Sequence, residues 1–105
     1  LKVVIVVLDP PSSDRARKIM GLLEELAGLG TEVSVYFLGD GVYWGIKGCL
    51  DRFANSRAEF FVEEGDLEAR GIQREILSER VNIVSEIVER LVYEIMERAE
   101  RVISV

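Results

Sequence analysis

Five carboxylates follow apolar runs closely enough to meet at one rim of a folded sheet: Asp9, Asp40, Glu63, Glu64 and Asp66. Clustered carboxylates raise one another's pKa values or draw in a cation. Hard divalent ions such as Mg2+ take oxygen ligands of this kind, so Asp9, Asp40, Glu63 and Asp66 are the candidate metal ligands. Glu63 and Asp66 could equally serve as an acid–base pair, although no spacing selects a substrate for them. The plainer alternative has Asp40 and Asp66 capping helices while Glu63 and Glu64 face water. Cys49 is the only thiol. With Ile46, Leu50 and Phe53 beside it at helical spacing, it reads as a small buried hydrophobe with a raised pKa, ahead of a nucleophile.

These residues need a scaffold, and the apolar pattern supplies one. Residues 2–8 form a continuous, mostly β-branched run without alternation, as in a strand covered on both faces. Asp9, Pro10, Pro11, Ser12 and Ser13 break it and offer a cap to a helix over 14–29, whose Ala16, Ile19, Met20, Leu23, Leu26 and Ala27 share one face. Gly28 and Gly30 stop that helix. A second strand is expected over 31–38, then Gly39-Asp40-Gly41, then a second helix with Val42, Ile46, Cys49, Leu50 and Phe53 on one stripe. A third strand at 57–62 leads into a broken helical segment over 66–77. A fourth strand at 81–84 precedes a helix from Ser85 with Ile87, Val88, Leu91, Val92, Ile95 and Met96 as its core stripe. A fifth strand covers 101–105. Strand alternating with helix implies right-handed crossovers and a mostly parallel five-stranded sheet between helix layers, an α/β/α sandwich. Residues 1–105 are expected to form a single domain, because no linker or change of composition interrupts the pattern.

In such sheets ligands bind beyond the carboxyl ends of the strands. The turns there carry Asp9-Pro10, Gly39-Asp40-Gly41 and Glu63-Glu64-Gly65-Asp66. Gly39-Asp40-Gly41 is not a dinucleotide fingerprint, since G-x-G-x-x-G would need glycine where Trp44 stands, and no P-loop lysine follows. It reads as a tight turn with Asp40 as a cap. Tyr43, Trp44 and Tyr93 fall off the core stripes, so they are candidate interface aromatics. For Trp44 the alternative is that it covers a neighbouring loop. The formal net charge of −6, without a run of Lys and Arg, argues against nucleic acid as a partner. One cysteine and no histidine exclude a C-x-x-C or Cys/His zinc site and suit the reducing cytoplasm. The opening apolar run is too short to span a bilayer and lacks a signal-peptide cleavage pattern, so no membrane association is expected.

The layout from Phe60 to Ile72 is more specific. A buried strand breaks at Gly65, re-forms as a short helix and closes at Arg70-Gly71, within a repeated strand–helix chain. This resembles the DsrE/DsrF-like (DsrEFH) family of small sulfur-relay proteins, over nearly the whole chain. A G-D-G-V-like turn is also common in that family. The resemblance implies the three-layer fold, assembly into homo-oligomers or with related DsrE-like subunits, and a pocket at the turns named above. In its A-R-G or R-R-G ending, Arg70 is implied as a partner for an anionic ligand, with the helix C-terminal cap as the plainer reading of Arg70-Gly71. Catalytic members carry a cysteine where this chain has Glu63, and some relatives a second where it has Asp66. A carboxylate cannot accept sulfane sulfur, and its charge repels a thiolate or persulfide. The implied function is a non-catalytic subunit or small-ligand-binding member. The alternatives are a persulfide carrier using Cys49 and a divalent-cation-binding domain.

Overall fold

The computed structural model describes residues 2–97 and 101–104; Leu1, residues 98–100 and Val105, expected as the end of the fifth strand, lie outside the described residues. Five strands form one parallel sheet: β1 (Lys2–Val7), β2 (Glu32–Phe37), β3 (Glu59–Glu63), β4 (Val81–Val84) and β5 (Arg101–Ser104), in the order β4-β3-β2-β1-β5. Three α-helices accompany them: α1 (Asp14–Gly28), α2 (Glu64–Ala69) and α3 (Ile87–Glu97). The expected α/β architecture with helix layers on a parallel sheet is therefore present.

Strand alternation divides the core in two. One face of the sheet presents Val3, Ile5, Val7, Val33, Val35, Phe37, Phe60 and Val62 to α1 and to the segments around Trp44, Phe53 and Leu67. The opposite face presents Val4, Tyr36 and Phe61 to Ile87 of α3. Tyr36 stacks on Phe61 with ring centroids 4.8 Å apart, and Phe37 on Phe60 at 6.0 Å. Ser13 starts α1 by accepting the Ala16 N–H on its hydroxyl at 3.2 Å.

One expected element is not an α-helix. Residues 42–53 instead form a 3-10 segment (Gly39–Gly45), an isolated antiparallel bridge between Ile46 and Leu77, and a short 3-10 turn (Asp51–Phe53). The apolar residues at helical spacing still reach the core, but through turns. Gly41 helps explain why: a Cβ there would lie 2.0 Å from the Val7 carbonyl oxygen, so the chain crosses hard against the end of β1. The third strand begins two residues later than expected, at Glu59, and α3 begins at Ile87, after Glu86 in the left-handed region at φ 53°. The α3 stripe is also narrower than the pattern implied. Ile87 is buried and Leu91 and Ile95 pack on the sheet, whereas Val88, Val92 and Met96 are exposed.

Candidate functional site

The carboxyl-end turns of β1, β2 and β3 do meet. The Trp44 indole N–H donates to the Asp9 carbonyl at 3.0 Å, tying the second turn to the first. The Gly39 N–H donates to the Asp66 carboxylate at 2.8 Å, tying the second to the third. Gly39 takes φ 55°, a conformation that favours glycine. Asp9 also accepts from the Ser13 hydroxyl at 3.4 Å, and Pro10 is half-buried beside it.

The rim is not a cluster of carboxylates alone. Arg70 reaches over it: its Nε lies 3.0 Å from Asp40, and its Nη1 lies 3.7 Å from the Asp66 carboxylate while donating to the Asp66 carbonyl at 3.1 Å. Arg74 pairs with Glu64 at 2.6 Å. Asp40 is thus an ion-pair partner of Arg70, and the 3-10 segment it was expected to cap has no side-chain cap. No group of three or more His, Cys, Asp or Glu side chains among the described residues could hold a metal ion. Arg70 also occupies the C-cap of α2, with Gly71 following at φ 66°. The Gly71 N–H donates to the Glu68 carbonyl and the Ile72 N–H to that of Leu67, a Schellman closure with both apolar ends buried. The cap reading of Arg70-Gly71 and its pairing with acids hold together.

Glu63 is the position that the family resemblance singled out, and its side chain is fully engaged. One carboxylate oxygen accepts the Gly65 N–H at 3.1 Å and so caps α2; the other accepts the Ile87 N–H at 3.1 Å at the start of α3. Two helix N-termini, with orphan donors and positive dipole ends, converge on one anion. The plainer alternative has Glu63 and Glu64 facing water; instead each has a protein partner.

Cys49 lies in the turn after the 3-10 segment, half-buried against the core. Burial, with Asp51 adding to it, pushes its thiol pKa up, which disfavours the thiolate. Trp44 is not an interface aromatic: it is buried, packed in the core and hydrogen-bonded to Asp9, closer to its loop-covering alternative. Tyr43 is half-buried against the same core. Tyr93 is exposed on α3.

The sequence reading missed a second polar group, beneath α3. Glu94 is buried and accepts from the Tyr36 hydroxyl, while the buried Lys2 ammonium lies 3.2 Å from Glu94 and 4.0 Å from Glu59. Burial alone would raise the Glu94 pKa; the Tyr36 hydroxyl, the facing Ser34 hydroxyl and Lys2 outweigh it and hold the carboxyl below its ordinary value. Burial, then Glu94, pushes the Tyr36 phenol well above its ordinary range. The available signal was a lysine heading an apolar strand and a glutamate three residues after Leu91 on the sheet-facing side. A hollow of about 590 Å3 opens at the amino ends of the strands near Lys2, Arg57 and Glu59, at the opposite end from the rim.

Fold and rim together define a small parallel α/β protein whose carboxyl-end turns are tied together by hydrogen bonds and ion pairs. A sequence profile described as "DsrH like protein" matches residues 13–99, and the chain belongs to that family. No curated protein matches the chain. Among solved structures it is similar to the protein of unknown function MTH1491 from Methanobacterium thermoautotrophicum, at 19% identity, 97% coverage of each chain and a TM-score of 0.81. It is also similar to the ychN protein from E. coli, at 17% identity, covering 99% of this chain and 97% of that one, with a TM-score of 0.79. Protein Tm0979 from Thermotoga maritima is more distant, at 15% identity, 92% and 99% coverage and a TM-score of 0.58. At these identities the likeness establishes the fold. Among the described residues no helix is long and apolar enough to cross a membrane.

Proposed function

We propose that this chain is a non-catalytic DsrH-like subunit of a cytoplasmic sulfur-relay assembly, joining copies of itself or related DsrE-like subunits. The observation that carries the reading is the Glu63 carboxylate, which spends both oxygens on the N-termini of α2 and α3. Where the resemblance leads one to expect a thiol, there is a structural anion that neither accepts nor releases sulfur. The surrounding rim is similarly committed, with Arg70 on Asp40 and Asp66 and Arg74 on Glu64. Cys49 gives weaker support to sulfur transfer, because it is half-buried and its thiolate is disfavoured. Incubating folded protein with a persulfide donor and recording the intact mass tests this. The expected mass is unchanged and Cys49 alkylates slowly; a gain of one sulfur on Cys49 would overturn the reading.

A further inference from the structure

The hollow at the amino ends of the strands encloses about 590 Å3, within the range of small-molecule sites. Its walls are the first residues of β1, β2 and β3, the end of α1 and the turn at 55–57. The sequence explains why it is polar. Lys2, Glu32 and Glu59 each open a strand, ahead of the apolar residues that follow. On the α1 side the wall is glycine: a Cβ added at Gly28 or Gly30 would meet no atom within 4 Å. The space is open there, not packed.

Its charges are placed differently from those of the rim. Arg70 and Arg74 are engaged with neighbouring acids. In the hollow Lys2 is engaged too, its ammonium 3.2 Å from Glu94 and its side chain 7% exposed. Arg57 is exposed and, among the described residues, makes no ion pair. Glu59 lies 4.0 Å from Lys2 and is 54% exposed, so its carboxylate also meets solvent. Ala58 and Phe60 turn into one core, which puts Arg57 and Glu59 on the same side of the chain. Cation and anion thus stand two residues apart on one wall. The end of α1 adds the negative pole of its dipole, with no basic residue in the last turn. Thr31 and Asn55 add a hydroxyl and an amide. The charges of Lys2, Arg57, Glu32 and Glu59 cancel.

We propose that this hollow binds a free α-amino acid with a polar, uncharged side chain. Each end of such a molecule has its counterpart. Its carboxylate takes the Arg57 guanidinium in the two-bond fork that this pair favours. Its ammonium takes Glu59 and the negative end of α1. Thr31 and Asn55 suit the polar side chain. The cancelling charges select against simple ions, since an anion meets Glu32 and Glu59 and a cation meets Arg57 and Lys2. A molecule carrying both charges escapes both penalties. The site lies at the opposite end of the sheet from Glu63, and neither depends on the other.

Isothermal titration of the wild-type chain with L-serine and L-glutamine tests the site. Saturable binding is expected, with a dissociation constant on the order of 1 mM. Acetate and ethylamine, each carrying one of the two charges, are expected to bind at least roughly tenfold more weakly. Arg57→Gln is expected to weaken amino-acid binding by about tenfold or more. Gly28→Phe, whose ring enters the hollow, is expected to abolish it. Gly28 ends α1 with ordinary helical backbone, so the change strains nothing locally. Circular dichroism reports whether that variant folds; if it does not, Arg57→Gln, at an exposed side chain, decides alone. Arg17→Gln makes the same charge change at the other end of α1 and is expected to bind as the wild type does. The site is overturned if neither amino acid binds the wild type at tens of millimolar, if acetate or ethylamine binds as well, or if Arg57→Gln binds unchanged. Each of those results leaves the reading of Glu63 standing, whereas a persulfide on Cys49 would remove that reading and leave the hollow as it is.

Discussion

The rim at the carboxyl ends of the strands and the polar group beneath α3 are built from the same chemistry and do different work. At the rim Arg70 lies against Asp40 and Asp66 in partial contact with solvent, where water and salt compete for each charge. Beneath α3 the Lys2 and Glu94 side chains are 7% and 8% exposed, and neither has water to fall back on. The lesson is that burial, more than the number of ion pairs, decides which carboxylates hold the fold. Glu63 sits between the extremes, engaged with two backbone amides and half-buried.

The contrast is sharpest if one member of the buried pair is removed. Glu94→Ala leaves the Lys2 ammonium buried without its nearest anion and is expected to cost about 3–5 kcal/mol in a denaturant titration. Titration probes the same site more gently. Because the folded-state pKa of Glu94 is lowered, its contribution is complete above the ordinary carboxylate pKa and is lost as pH falls through the lower folded value. Glu94→Gln is therefore expected to flatten that acid limb of the stability profile. Glu63→Ala, which frees two helix N-termini, is expected to cost about 2 kcal/mol. At the rim, Arg70→Ala is expected to cost less than about 1 kcal/mol. An Arg70→Ala loss as large as that of Glu94→Ala would erase the distinction.

Much of the scaffold was legible because it rests on local signals. The unbroken apolar run of β1 marked a strand covered on both faces, and Ser13, Gly30 and Gly71 marked helix ends through their own backbone needs. The segment 42–53 misled because apolar residues at helical spacing also suit a chain of turns packed on a core. Its conformation is limited by Gly41 against the Val7 carbonyl, a contact between distant parts of the sequence. Trp44 was misplaced for the same reason. The convergence of the three turns followed from topology, whereas the partners of their side chains did not: Arg70 on Asp40, and Glu63 on Ile87, span 30 and 24 residues. Glu94 was hidden by its neighbours, since α3 also carries Glu89, Arg90 and Glu97 on its exposed side and an acid in such a helix is first taken for a solvated one.

The account turns on Glu63 being a brace between α2 and α3, and hydrogen exchange at the Ile87 amide reads that brace directly. In the wild type this amide is expected to exchange slowly, and in Glu63→Ala at least roughly tenfold faster, with β1 and β2 protected as before. Equal exchange at Ile87 in the two proteins, with both folded, would contradict the account.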